Sequence, residues 1–285
     1  MNPGTALVLE GGGFRGAFTA GVTDVLLEHG AVDFSSLWGV SAGALTGASF
    51  ASRQIGRAIR VNLAFRDDKR YTGARQLLAT GDIVNAVFLY NEVQDRLDPF
   101  DYAAFNANPM RFYAVVSSVV TGKPEYMPVE NLPEQTDRLR ASASLPVLSR
   151  IVDIDGRPYL DGGTTDSVPL ERALEEPGTE RALVVLTRER GYVKKASSLL
   201  PVAKRLYRDY PCFVEAFATR PDRYNAQREY IWEQEAAGRA FVICPPGPVE
   251  VAEMERDGAK LLDLYIQGRK ATEDAWDGIA RFLGL

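Results

Sequence analysis

Histidine is almost missing from this chain: His29 is the single copy in 285 residues. It precedes the best nucleophile candidate, so a hydrolase triad in the order Ser, Asp, His is excluded. Cysteine is nearly as scarce. Cys212 and Cys244 fit neither a disulfide framework nor a zinc site, and read as reduced structural residues of a cytoplasmic protein, with Cys244 on a strand. Basic charge is in deficit, with 33 Lys and Arg against 38 Asp and Glu, a net charge of -5 and a pI near 5.2. That balance removes the electrostatic footprint of a nucleic-acid binder. No apolar run approaches the length of a membrane span. Met1 to Gly4 lead straight into the strand-like Ala6 to Leu9, without the charged n-region and apolar core of a signal peptide. No D-x-[DN]-x-[DN]-G loop occurs, so neither calcium nor any other metal or cofactor is expected.

What is present is ordinary globular material, 46% hydrophobic and 25% charged, punctuated by two glycine-rich turns. Gly11-Gly12-Gly13-Phe14-Arg15-Gly16 follows the apolar run Thr5 to Glu10 and opens a helix carrying Phe18, Val22, Val25 and Leu26, stopped by His29-Gly30. Gly39-Val40-Ser41-Ala42-Gly43 follows Phe34, Leu37, Trp38 and Val40 and opens a second helix, Ala42 to Ala51. Its G-x-S-x-G spacing, in a strand-turn-helix context, is that of a nucleophile elbow, which exposes one hydroxyl above a sheet. Ser41 is the candidate nucleophile. The first turn also satisfies G-x-G-x-x-G through Gly11, Gly13 and Gly16, which keeps a dinucleotide-binding protein as an alternative. Against it, the second strand ends in the serine elbow rather than in an acidic ribose ligand.

Further along, Ile83 to Tyr90 reads as a core helix in preference to a lid or acyl-pocket wall, and Asn91 as an N-cap for Glu92 to Leu97. Met110 to Val120 is a buried strand, Glu125 to Met127 follows a turn, and Leu139 to Leu148 is a short helix of small residues. Asp155-Gly156 marks a hairpin whose return strand ends at Asp161-Gly162-Gly163. Arg181 to Thr187 and Ala240 to Cys244 are strands, and Met254 to Ile266 and Thr272 to Leu283 closing helices. Residues 188–209 are rich in basic side chains, with Leu199, Val202, Ala203, Leu206 and Tyr207 on one face. They form a solvated helix or a transient membrane-surface contact.

With His29 placed as a cap in the last turn of its helix, the proton acceptor for Ser41 has to be another group. Asp161 stands at a glycine-flanked strand end, where α/β folds place their chemistry, and burial would raise its pKa toward a useful range.

G-G-G-F-R-G, G-V-S-A-G and D-G-G, in this order, resemble the motifs of the patatin-like phospholipase family over roughly residues 5–190. The resemblance implies a three-layer α/β/α sandwich with a mostly parallel central sheet. Residues 1–285 would form a single domain, with 190–285 a mainly helical C-terminal elaboration. It implies a Ser41–Asp161 catalytic dyad, an oxyanion hole from Gly11, Gly12, Gly13, Arg15 and Ala42, and turn glycines at Gly39, Gly43, Gly162 and Gly163. Ala141-Ser142-Ala143-Ser144 with Pro146 resembles the small-residue segment before the family's aspartate. Thr164 stands where some members carry asparagine. The activity implied is that of a cytoplasmic lipase or phospholipase A cleaving carboxylic esters of lipids, without nucleic acid as a partner. A lipid-binding regulatory protein using the same cleft is the non-enzymatic alternative.

Overall fold

The computed structural model describes residues 4–285, so the expected lead-in at Met1, Asn2 and Pro3 lies outside the described residues. Eight strands form one sheet: β1 (Thr5–Leu9), β2 (Ser36–Val40), β3 (Arg111–Ser118), β4 (Pro124–Pro128), β5 (Val152–Ile154), β6 (Arg157–Asp161), β7 (Arg181–Val185) and β8 (Ala240–Ile243). Strands β3, β2, β1, β7 and β8 run parallel in that order, while β4 and β6 pair antiparallel with β3, and β5 with β6. The C-terminal ends of the parallel strands therefore share one edge, which is where crevices form in such sheets.

Strand alternation sorts the helices into two layers. Leu7, Leu9, Leu37 and Leu183 face a core shared with α1 (Gly16–Glu28), α2 (Ala42–Ala51) and α3 (Arg57–Phe65). Between α3 and β3 run α4 (Ala74–Thr80), a π-helical segment (Phe88–Leu97) and α5 (Tyr102–Asn106), and α6 (Thr136–Ser142) packs under β3 and β6. Ala6, Val8, Trp38 and Val184 face the opposite core, built with α7 (Leu170–Glu175) and, beyond α8 (Leu200–Leu206) and α9 (Pro211–Ala218), with α10 (Arg220–Ala236). The closing helices α11 (Gly258–Asp274) and α12 (Trp276–Leu283) return to the first layer. This is the expected α/β/α sandwich with a mostly parallel central sheet.

Several local expectations differ. The helix expected from Leu139 ends at Ser142, short of Pro146, and the one expected from Met254 begins at Gly258, where the Asp257 carboxylate caps the Ala259 N–H at 2.8 Å. Asn91 lies inside the π-helical segment. The capping asparagine is Asn85, whose Oδ1 accepts from the Phe88 N–H at 3.2 Å. On α8 only Ala203 is buried, Tyr207 just beyond it is buried as well, and Val202 and Leu206 stand exposed. Cys212 is exposed on α9, and Cys244 sits one residue past β8; both are free thiols.

Candidate active site

Register on β3 brings the two motifs together. Tyr113 to Val115 pair with β2 on one edge and β4 on the other, and Val116 and Ser117 pair with β4 and β6. Strands β2 and β6 thus follow one another along the same edge of β3. Val40, the residue before Ser41, is the partner of Val115, and Asp161 is the partner of Val116. Two residues separated by 120 positions in sequence are set side by side by one strand.

Ser41 turns the chain from β2 into α2 with φ 53° and ψ -122°, a region that costs on the order of 1–3 kcal/mol for a residue with a Cβ. Gly43 makes the turn sterically possible, since a Cβ there would lie 2.4 Å from the Leu9 carbonyl oxygen. Gly39 and Gly162 are packed as closely, against Ala44 and against the Val115 carbonyl. The Ser41 N–H donates to Ser142 Oγ at 2.9 Å, and the Asp161 N–H donates to the Ser144 carbonyl at 2.8 Å. The small-residue segment at the end of α6 therefore braces Ser41 and Asp161 at once. Its resemblance to a family motif marked the segment, but the role of Ser142 depends on a hydrogen bond spanning 101 residues and has no local signature.

Asp161 is 3% exposed. Its Oδ1 accepts from the Gly163 N–H at 2.7 Å, while Oδ2 has no partner in hydrogen-bond geometry among the described residues, and the Ser41 hydroxyl neighbours the carboxyl group. Burial pushes its pKa from 3.8 up to about 6, against the opposing pull of the Ser41 hydroxyl, the Arg220 guanidinium and the Gly163 N–H. Such a carboxylate is a usable base near neutral pH.

The glycine-rich loop lies at the adjoining end of β1. Among the described residues, the N–H groups of Gly12, Gly13 and Ala42 have no protein partner. The other expected donors are engaged: Gly11 donates to the Ser167 carbonyl at 3.4 Å and Arg15 to the Gly12 carbonyl at 3.2 Å. The Arg15 side chain is buried, and its Nε has no partner among the described residues. Gly13 has φ +58°, and a Cβ there would lie 2.4 Å from the Glu253 carbonyl oxygen, so a side chain is excluded on both counts.

A cavity of about 160 Å³ opens from Ser41 between α2, α3 and the π-helical segment. Its walls are mostly apolar, with Leu45, Ala48, Ala58, Val61 and Leu89 among them, and the Asp82–Arg140 ion pair stands at its margin. Val84, Ala86 and Tyr90 line it too. The stretch 83–90 is thus a cavity wall that is helical from Ala86 onward, where a core helix was expected over its whole length.

His29 occupies the C-cap of α1, as expected, and does more there. Its Nε2 lies 3.1 Å from Glu273 Oε2 and its ring stacks on Trp276 at 3.8 Å, tying α1 to the closing helices. Since α1 starts at the glycine loop and runs about 20 Å, His29 lies at the far edge of the sheet from Ser41. Among the described residues no group of three or more His, Cys, Asp or Glu could hold a metal ion, and no helix is long and apolar enough to cross a membrane.

Residues 7–174 match the family model of the patatin-like phospholipases, and residues 210–284 match a domain of unknown function (DUF6363). The uncharacterized protein YjjU of Escherichia coli K12 is 30% identical over 189 residues, covering 64% of this chain and 51% of YjjU. The uncharacterized NTE family protein Rv1063c of Mycobacterium tuberculosis is 26% identical over 169 residues, covering 59% of this chain and 45% of that protein. The chain thus spans about half the length of the curated relatives it matches. The crystal structure of VipD from Legionella pneumophila aligns over 96% of this chain and 67% of VipD, with a TM-score of 0.48 and 13% identity. The family match alone covers more than half of the sequence, and it decides the membership: this chain belongs to the patatin-like phospholipase family.

Proposed function

We propose that the protein is a serine acyl hydrolase that cleaves carboxylic esters of lipids through a Ser41–Asp161 dyad. The observation that carries this reading is the adjacency of an elbow serine and a buried, unpartnered carboxylate oxygen on one edge of β3. Asp161 takes the Ser41 proton as the hydroxyl attacks the ester carbonyl, and returns it to the departing alkoxide. The developing oxyanion is held by the N–H groups of Gly12, Gly13 and Ala42, each such donor typically contributing about 3 to 4 kcal/mol. Water, deprotonated by Asp161, then releases the acid from the acyl-enzyme.

The cavity beside Ser41 receives the acyl chain. Its 160 Å³ is on the scale of an apolar cavity that admits a benzene-sized guest, or roughly six carbons, which favours short to medium chains in this conformation. A fluorophosphonate should label Ser41, and Ser41→Ala should abolish labelling and turnover of a hexanoyl ester together. Normal turnover in that variant overturns the assignment, and binding of fatty acid by a wild-type protein that hydrolyses no ester favours the regulatory alternative.

A further inference from the structure

The cavity beside Ser41 ends in polar side chains. Helix α2 starts next to Ser41 and runs along the cavity, so Ser49 stands about 10 Å beyond Ala42. Arg57 opens α3 just after α2 ends, and residues 98–101 are fastened to the same turn. Gln54 Nε2 donates to the Pro99 carbonyl at 2.9 Å, and Gln54 Oε1 accepts from the Asp101 N–H at 3.0 Å. Arg57 Nη2 donates to the Asp98 carbonyl at 3.0 Å. The Phe100 N–H in turn donates to the Gln94 carbonyl at 2.8 Å. Gln94, Arg57 and Phe100 all line the cavity, and these bonds gather them at its far end from Ser41.

Gln94 is 7% exposed, and its Oε1 has no hydrogen-bond partner among the described residues. The i→i+5 pattern of the π-helical segment sets it on the same face as Leu89, another wall residue. Arg57 is 8% exposed, and its guanidinium lies over the Phe100 ring, 5.0 Å from the ring centre. Its Nε makes no hydrogen bond among the described residues, and Asp98 Oδ1 lies 3.6 Å from it. Arg60 binds the same carboxylate at 2.6 and 2.9 Å. The charge of Arg57 is therefore answered, while its capacity to donate is not filled. Along α2, the wall between Ser41 and this end includes the apolar Leu45 and Ala48.

A plain alkyl chain that fills the cavity leaves the Gln94 amide and the Arg57 Nε without partners and shut off from water, which is costly. A hydroxyl at the chain end both donates and accepts, so it can donate to Gln94 Oε1 while accepting from Arg57, and it brings no charge to a place where Asp98 already answers the guanidinium. We propose that Gln94 and Arg57 form a subsite for a hydroxyl group at the far end of the acyl chain, which makes ω-hydroxyacyl esters preferred over plain acyl esters of the same length. This rests on the reading of Ser41 and Asp161 as an acyl-transfer site whose acyl group enters the cavity. A site built to hydrogen-bond a substrate hydroxyl discriminates strongly against the analogue that lacks it, because its own polar groups are then left unpaired.

The test compares kcat/KM for nitrophenyl esters of hexanoic, octanoic and decanoic acid with those of their ω-hydroxy counterparts, in wild type, Gln94→Leu and Gln94→Met. At the chain length whose end meets Gln94, wild type should prefer the hydroxylated ester by about tenfold or more. Both variants should lose that preference and turn over the plain ester faster than wild type, because the unpartnered amide is gone. No gain from the hydroxyl at any length, or a gain that survives both variants, overturns the subsite. A larger gain for the half-ester of octanedioic acid than for the ω-hydroxyoctanoyl ester overturns the hydroxyl assignment and marks Arg57 as an anion site. The acetyl ester, too short to reach this end, reports the hydrolase by itself, so its turnover without any hydroxyl effect leaves the hydrolase reading standing and the subsite refuted. If no ester is hydrolysed at all, the hydrolase reading fails and calorimetry with the free acids decides the subsite. Tighter binding of ω-hydroxyoctanoic acid than of octanoic acid, lost in Gln94→Leu, supports it, and equal binding, or none at millimolar concentration, overturns it.

Discussion

Replacing Asp161 by asparagine should inactivate the protein and stabilise it at the same time. The carboxyl titrates near 3.8 when unfolded and near 6 when folded, because burial disfavours its charged form. Below pH 3.8 both states hold the proton and the group is neutral in its effect. As pH rises toward 6 the unfolded chain ionises first, and above 6 the folded state carries the full penalty. A shift of about two units corresponds to roughly 3 kcal/mol. The amide introduced by Asp161→Asn would keep an oxygen acceptor for the Gly163 N–H, replace an oxygen that has no partner, and carry no charge. The gain of D161N over wild type should therefore be small at pH 4 and reach about 3 kcal/mol at pH 7.5, or roughly 5 °C in Tm. Thermal unfolding of both proteins across pH 4–8, with hexanoyl-ester turnover measured on the same samples, checks both halves. Equal Tm values for the two proteins at every pH would refute the buried-base argument, and retained turnover in the variant would refute the role of Asp161.

His29→Gln should leave turnover within a few fold of wild type. It should cost no more than about 1 kcal/mol in chemical denaturation, since the His29–Glu273 contact is partly exposed. Ser142→Ala removes the acceptor of the Ser41 N–H, and an orphaned buried donor costs about 1–3 kcal/mol. Turnover should fall with little change in KM, and a normal kcat would show that the elbow holds itself. Ala48→Phe should fill part of the cavity, lowering kcat/KM for octanoyl esters far more than for acetyl esters; an equal effect on both would remove the acyl chain from that wall.

Local backbone demands made the core of the site readable. A serine at positive φ between two close-packed glycines, and an aspartate whose next residue approaches a neighbouring carbonyl, impose composition on adjacent positions, so each motif is visible as a string. What those strings meet is set elsewhere. The π-helical segment has neither a clean helical period nor a strand alternation, so its role as a cavity wall is hidden. Helix α10 buries Tyr224, Arg228, Ile231 and Gln234, a face half polar, and its apolar pattern is too faint to mark a helix at all. The basic stretch after β7 reads as surface, yet Lys194 is drawn inward by Asn225, which lies on that unmarked helix.

The faintness of α10 matters because the helix reaches back to the dyad. Arg220 is the cation that acts on Asp161, and its charge favours the ionised carboxylate, opposing burial. Without it the carboxyl would hold its proton to higher pH. On the proposed dyad, activity requires ionised Asp161 and should be lost as pH falls through about 6 in wild type. Arg220→Met should move that acid limb upward, whereas Lys194→Met, whose ammonium is not among the groups that shift Asp161, should leave the limb in place. Recording kcat/KM for a neutral hexanoyl ester from pH 4.5 to 8.5 in the three proteins separates the two cations. An acid limb that stays at the wild-type position in Arg220→Met would mean that the C-terminal helix covers the dyad without tuning it.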